Sequence, residues 1–157
     1  MRLTVRTNLA ARALMACAVN PDSILRTQDI AERCNASVNH MFQVVNVLQE
    51  FGFLETIRGR SGGVRLARAP ERISIGAMFR ELEGGVPFTD CFAGGAGACP
   101  LQGNCRLSGY LQRALAAFYH ELDMVTLADL VKGNCGLQTL LDMDPRGQGR
   151  CERMAPA

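Results

Sequence analysis

"GFLETIRGRSGGVRLAR", Gly52–Arg68, decides the fold. It reads as a strand, a turn built on "RGRSGG", and a second strand, because glycines supply the tight reversal a hairpin needs. Upstream, Val38–Glu50 reads as a helix with Met41, Val44, Val45 and Leu48 at i, i+3, i+4 and i+7, an inward stripe. Asn39, His40, Gln43 and Asn46 fall on another face. A shorter helix precedes it, "QDIAERC", capped by Thr27 with Ile30 and Ala31 facing inward; "NAS" (Asn35–Ser37) breaks it. Two short helices about four residues apart, followed by a glycine-tipped hairpin, spell a winged helix-turn-helix.

Further out, "TNLAARALMACAV" (Thr7–Val19) is a strong helix that Thr7 or Asn8 can cap, with Leu9, Ala13, Ala16 and Cys17 at helical spacing. Downstream, a helix is expected from Ile75 to Glu83, ended by "GGVPFTD" (Gly84–Asp90). The longest helical stretch runs from Arg106 to about Val125. Its Leu107, Leu111, Ala114, Phe118, Leu122 and Val125 form a seam of near-heptad spacing, the pattern of a helix that pairs with its own copy. "TLADLVKGN" (Thr126–Asn134) reads as a capped short helix ended at Gly133. The tail, Asp144–Ala157, is polar and rich in Gly and Pro, and is expected to be disordered.

The expected fold class is therefore mainly α: a winged helix-turn-helix with a small β-hairpin wing and a long C-terminal dimerisation helix. Residues 1–83 would form the DNA-binding domain, 84–105 a cysteine loop, 106–143 the dimerisation helix with a short C-terminal helix, and 144–157 the tail.

The chain has 157 residues, 48% hydrophobic and 20% charged, enough for one domain with a normal core. No apolar run approaches the length a membrane span needs, and "MRLTVRTN" lacks the apolar centre of a secretory signal. A soluble cytoplasmic protein with no membrane partner is expected. Net charge is +2, unevenly spread: residues 1–70 carry nine arginines against five acidic residues. A basic front half built on arginine suits an anionic partner.

Asn and Gln bond bidentately to adenine in the major groove, and Arg to guanine. Ser37, Asn39, His40 and Gln43 sit where a recognition helix presents such groups, near its N-terminus. Arg58, Arg60, Ser61, Gly62 and Gly63 in the hairpin turn can enter a minor groove or grip phosphates. Double-stranded DNA is the expected partner. His40 and His120 are lone histidines, no acid/base pair or substrate-pocket signature is present, and an enzyme is not expected.

Seven cysteines are many for this length, and the odd number suits no disulfide framework. Three cluster in "CFAGGAGACPLQGNC" (Cys91–Cys105) as C-x7-C-x5-C, with no CxxC knuckle of the kind structural zinc favours. Soft thiolates suit iron–sulfur clusters, Zn(II) or Cu(I). Gly94, Gly95, Ala96, Gly97 and Ala98 would let a loop wrap a bulky cluster, and Pro100 stiffens its exit. Iron–sulfur is the leading reading; zinc, thiol–disulfide redox and idle thiols compete with it. A 4Fe–4S cluster normally takes four protein ligands. With three local, the fourth comes from elsewhere or one iron is open to a small molecule. Cys17 reads as core and Cys34 as packed beneath the recognition helix. Cys135 and Cys151 carry no expected role.

"MRLTVRTN", "RGRSGGVRLAR", "CFAGGAGACPLQGNCRL" and "TLADLV" together resemble the Rrf-two family of winged-helix regulators over Met1 to about Leu141. "TLADLV" and the Asn39–His40 pair look most like its nitric-oxide-sensing repressors. The resemblance implies a homodimer with an iron–sulfur cluster, 4Fe–4S (alternatively 2Fe–2S), on Cys91, Cys99 and Cys105 of each subunit. It implies a partly palindromic operator released when nitric oxide reaches the cluster. Relatives with an oxygen ligand use an Asp near the N-terminus of the other subunit. Asn8 stands at that position, so the fourth ligand is open between Asn8, the neighbouring Asp90, water or another donor. Where some relatives have a His three residues beyond the third cysteine, this chain has Ser108. Iron-responsive regulators of the family share the cysteine spacing and are the rival within the class. A small iron–sulfur electron carrier is the rival outside it, and would leave the recognition helix and wing without a use.

Overall fold

A computed structural model of the chain describes residues 3–85, 87–89, 92, 99–101 and 104–143. In order the described elements are α1 (Val5–Val19), α2 (Thr27–Arg33), α3 (Val38–Glu50), β1 (Leu54–Ile57), β2 (Gly63–Leu66), a 3-10 turn (Pro70–Arg72), α4 (Ile75–Glu83), α5 (Arg106–Asp123), α6 (Leu127–Val131) and α7 (Cys135–Leu141). The protein is mainly helical with one antiparallel hairpin, a winged helix-turn-helix.

Each of the first two turns of the motif has a local cause. Asn35 takes a left-handed φ of 49° between α2 and α3, a conformation Asn tolerates better than most residues. Ser37 Oγ then accepts the His40 N–H at 3.2 Å and caps α3. The expected stripe Met41, Val44, Val45 and Leu48 is buried, together with Ile30 and Ala31 of α2 and much of α1. At the end of α3, Gly52 turns the chain with φ 69°, and Arg68 donates from Nε to its carbonyl at 2.9 Å while lying over the Phe53 ring.

The hairpin pairs Leu54 with Leu66 and Ile57 with Gly63. Leu25, ahead of α2, adds a single bridge on its other edge: Leu25 N–H to the Val64 carbonyl at 2.9 Å, and Val64 N–H to the Leu25 carbonyl at 2.8 Å. That bridge ties the wing to the helices. It also explains Gly63, where an added Cβ would lie 2.3 Å from the Leu25 carbonyl oxygen. Backbone cannot yield as a side-chain tip can. Gly63→Ala should therefore cost about 1–3 kcal/mol, read as a lowered midpoint in thermal or urea unfolding; an unchanged midpoint would mean the bridge is loose.

Four features differ from the sequence expectation. Thr27 does not cap α2: it is the first residue of the helix and is buried, and Arg26 stands at the cap position with no side-chain cap bond. The first helix begins at Val5, not Thr7, and its cap is Thr4, whose hydroxyl accepts the Thr7 N–H at 3.2 Å. Thr7 is instead fully buried, because it faces α4 rather than solvent. The long helix stops at Asp123, and the chain is extended by Thr126. There Ile75 N–H donates to the Val125 carbonyl and Leu127 N–H to the Ile73 carbonyl, each at 2.9 Å, and Ser74 bridges Thr126. Finally, α7 follows the capped α6, where only one short helix is legible. Thr126 caps α6 in a reciprocal box with Asp129.

Leu127 and Leu141 join the core built on α1–α4. Buried Asn20 closes that return: its Nδ2 donates to the Ala16 and Leu141 carbonyls, and its Oδ1 accepts the Met143 N–H. Among the described residues no helix is long and apolar enough to cross a membrane. The expected disorder of Asp144–Ala157 lies outside the described residues.

Candidate nucleic-acid interface and cysteine segment

Burying one face of α3 leaves the other in solvent. Asn39, His40, Gln43 and Asn46 are all exposed, as is Ser37. Asn39, Gln43 and Asn46 follow one another at i, i+4 and i+7, so they form one row along the helix. Ser37 has its oxygen engaged as the α3 cap, which leaves its O–H to donate. The same exposed face carries Val38 and Phe42, which the polar-residue chemistry of the sequence did not single out.

Arg58, Arg60 and Ser61 are exposed at the hairpin turn. Gly59 holds φ 122°, and a Cβ on Gly62 would meet the Ile57 carbonyl oxygen at 2.4 Å. Gly62 and Gly63 are thus required by close backbone approach, and Gly63 lies within β2 rather than at the tip. The arginines divide by what they touch. Arg65 pairs with Glu55 across the hairpin at 2.5 Å, and Arg68 is spent on the Phe51 and Gly52 carbonyls. Arg58 and Arg60 have no hydrogen bond or ion pair among the described residues, so their guanidinium forks face solvent.

The cysteine segment leaves the C-terminal end of α4 and enters α5. Cys91 and Asp90 lie outside the described residues. Cys99 and Cys105 are described. Both are half-buried free thiols, and Cys105 is the N-cap residue immediately before α5. Among the described residues no three His, Cys, Asp or Glu side chains converge to hold a metal. One observation bears on fit: Thr89 Oγ1, two residues before Cys91, is buried without a hydrogen-bond partner. An orphaned hydroxyl at the mouth of a thiol-bearing segment suits an acceptor supplied from outside the protein's own atoms. With two free thiols, Cys99 and Cys105, in the same segment of chain, the residue types present fit a sulfur-ligated group. Phe92, one residue past Cys91, lines an open groove of about 470 Å³ with Gln112, Leu115, Ala116 and Tyr119 of α5.

The other cysteines behave differently. Burial, reinforced by Cys34 nearby, pushes the Cys17 thiol up to about 12, so it stays protonated and apolar in the core. Burial also raises Cys34, opposed by the Arg12 guanidinium, whose Nη1 donates to the Cys34 carbonyl at 3.0 Å. Cys135, for which no role was expected, is disulfide-bonded.

The base of the cysteine segment is fastened to α1. Glu83, the last residue of α4, accepts the Thr4 N–H and the Thr4 hydroxyl at 2.9 Å each, and the Thr7 hydroxyl through a short bond. Arg6 donates to the Leu82 carbonyl at 2.6 Å beside it. Burial alone would raise the Glu83 carboxyl, but these hydrogen bonds and the Arg6 charge outweigh it and hold the group below the ordinary glutamate range. Asn8, exposed, sits on the same turn as Thr7. On the α5 side, Arg80 grips both oxygens of Asp123 and lies 4.9 Å from the Tyr119 ring centre, and Phe79 meets Phe118. Gly76 allows this approach, since a Cβ there would meet Asp123 Oδ1 at 2.2 Å. Neither Glu83 nor Thr89 carries a local sequence signal; their roles depend on which distant segment they reach.

The seam of α5 divides in two. Phe118, Leu122 and Val125 pack toward α4 and the core, while Leu107 and Ala114 are exposed and Leu111 is only half covered. Leu107 is 61% exposed and Tyr110 64%.

Comparison with known proteins bears on these surfaces. Residues 3–133 match the family model Rrf2, the Rrf-two family, described as an iron-dependent transcriptional regulator. The chain is 39% identical to the HTH-type transcriptional regulator NsrR of Halalkalibacterium halodurans, covering 92% of this chain and all of that one. It is 41% identical to the HTH-type transcriptional repressor NsrR of Streptomyces coelicolor, covering 95% of this chain and 100% of that one. Among solved structures, T. potens IscR superposes with a TM-score of 0.67 at 24% identity, over 83% of this chain and 85% of that chain, a likeness of fold.

Proposed function

Because the chain belongs to the Rrf2 family of transcriptional regulators and is not an enzyme, we propose that it is a homodimeric, DNA-binding repressor. In this reading an iron–sulfur cluster on Cys91, Cys99 and Cys105 makes operator release respond to nitric oxide. The observation that carries it is the pairing of an exposed polar row on α3 and two wing arginines unpaired among the described residues with free thiols between α4 and α5. The first part binds DNA; the second reports a signal.

α3 enters the major groove, with Asn39, His40 and Gln43 toward base edges and Ser37 toward the backbone, while Arg58, Arg60 and Ser61 of the wing reach the neighbouring groove or phosphates. The exposed half of the α5 seam, with Leu107 and Ala114, covers its counterpart in a second copy and so sets half-site spacing. When bound, a 4Fe–4S cluster supplies iron that reacts with nitric oxide. This chain's own contribution is the frame: Cys105 immediately precedes α5, Glu83 fastens the other end of the segment to α1, and Arg80–Asp123 joins α4 to α5. A change in how the segment is held therefore reaches both the dimer helix and the DNA-reading unit, a two-state element biased by a ligand.

The test is anaerobic. Cluster-loaded protein is titrated on promoter DNA with nitric oxide and, separately, with an iron chelator. Release by nitric oxide at low stoichiometry supports the reading; release by the chelator alone favours the second reading, an iron-responsive regulator, to which the family's iron-dependent description points. Colourless, iron-free protein that binds DNA unchanged rejects both.

Arg60→Ala should weaken binding to every DNA sequence alike and lower the slope of log affinity against log salt by about one, the signature of a lost phosphate contact. If Arg60 reads a base instead, the slope stays and sequence preference relaxes.

A further inference from the structure

Hydrogen-bonding residues do not account for the whole exposed face of α3. Phe42 is 50% exposed and Val38 38%. They stand four apart, so they form one apolar edge running beside the row of Asn39, Gln43 and Asn46. The core does not call for them: Met41, Val44, Val45 and Leu48 already fill the inward face. Single exposed apolar residues are ordinary on protein surfaces. These two border the polar row at the N-terminal half of the helix proposed to face DNA, so they are placed to meet an apolar group at matching depth.

The major-groove edge of B-DNA offers one such group, the 5-methyl of thymine, which no donor or acceptor can read. We propose that Phe42, backed by Val38, is a specificity-determining residue that packs on a thymine methyl in the operator half-site, beside the bases met by Asn39 and Gln43. This inference rests on the DNA-binding reading above. Removing one buried methyl contact corresponds to about a fourfold loss in affinity, so the effect is measurable without unfolding anything.

The test uses full-length, cluster-loaded protein and a labelled duplex selected by that protein from a random-sequence pool. Each thymine of a half-site is replaced in turn by deoxyuridine, which removes the methyl alone. Wild type should lose about fourfold at one or two positions. Phe42→Ala should lose a similar factor on the thymine duplex, be indifferent to uracil at those positions, and keep the wild-type salt slope and thermal midpoint. Wild type indifferent to every uracil, or Phe42→Ala as sensitive to uracil as wild type, overturns the inference while DNA binding stands. A Phe42→Ala protein that changes in sedimentation but not in its uracil response assigns the edge to a contact between copies, and overturns it too. Failure of wild type to select any sequence is a different result: it sinks the DNA-binding reading and takes this inference with it.

Discussion

Cys105→Ala protein, prepared without oxygen, is expected to be colourless, to hold no stoichiometric iron, and to bind operator DNA about a hundredfold more weakly than cluster-loaded wild type. The magnitude is near the top of the usual range for coupling between two sites. The reason is positional as well as chemical. Cys105 is half-buried and is the residue immediately before α5, so a sulfur donor stands where the longest helix begins. A control separates these roles. Cys105→Ser keeps size and hydrogen bonding but not a soft thiolate, so it should fold as wild type and still lose iron. Cys17→Ala should keep iron, because Cys17 is a buried, protonated thiol packed in the core. Iron analysis, visible absorbance and fluorescence anisotropy on labelled DNA read the outcome. Full iron and full affinity in Cys105→Ala would remove the cluster from the account.

The second large effect is expected at Glu83. Glu83→Ala should destabilise the protein by about 2–3 kcal/mol, since it removes the charged acceptor of three hydrogen bonds from Thr4 and Thr7 and leaves the buried Thr7 hydroxyl only its contact with the Thr4 hydroxyl. Its pH dependence follows from the depressed carboxyl. A carboxylate held below its unfolded value stabilises the native state fully above the ordinary glutamate range, and that contribution is lost as the pH falls through the folded value. Wild type should therefore lose stability over wild-type's acid limb that Glu83→Gln does not lose, with the two curves converging at the lowest pH. Urea midpoints at a series of pH values measure this. Parallel curves for the two proteins would show that the hydrogen bonds to Glu83 do not depend on its charge. A further consequence concerns the cysteine segment. Because Glu83 anchors its near end, Glu83→Gln should also speed iron loss to a chelator, a readout that a merely local stability change at α1 would leave alone.

Much of the fold was legible in the chain. The winged helix-turn-helix follows from signals a few residues long: the stripe Met41, Val44, Val45 and Leu48, the break at Asn35–Ser37, and the glycines of "RGRSGG". Helix period and turn chemistry are local, so α3 and α4 fall where the sequence put them. The exposed rows on α3 and at the wing follow directly, because burying one face of an amphipathic helix determines the other. Phe42 escaped notice for a related reason: an apolar residue next to a buried stripe looks like core until the neighbours are in place.

What needed the tertiary structure is everything that spans long stretches of chain. Thr7 looked like a helix cap and proved to be a buried donor to Glu83, 76 residues away. Gly76 carries no turn signal, yet the approach of Asp123 forbids a side chain there. The return of Leu127 and Leu141 to the core beside α1 was not legible either, since nothing local distinguishes a helix that docks from one that does not. Sequence periodicity tells which face of an element is apolar; only the path of the chain tells which distant face it meets, because that choice is made by packing and hydrogen bonding over all elements at once.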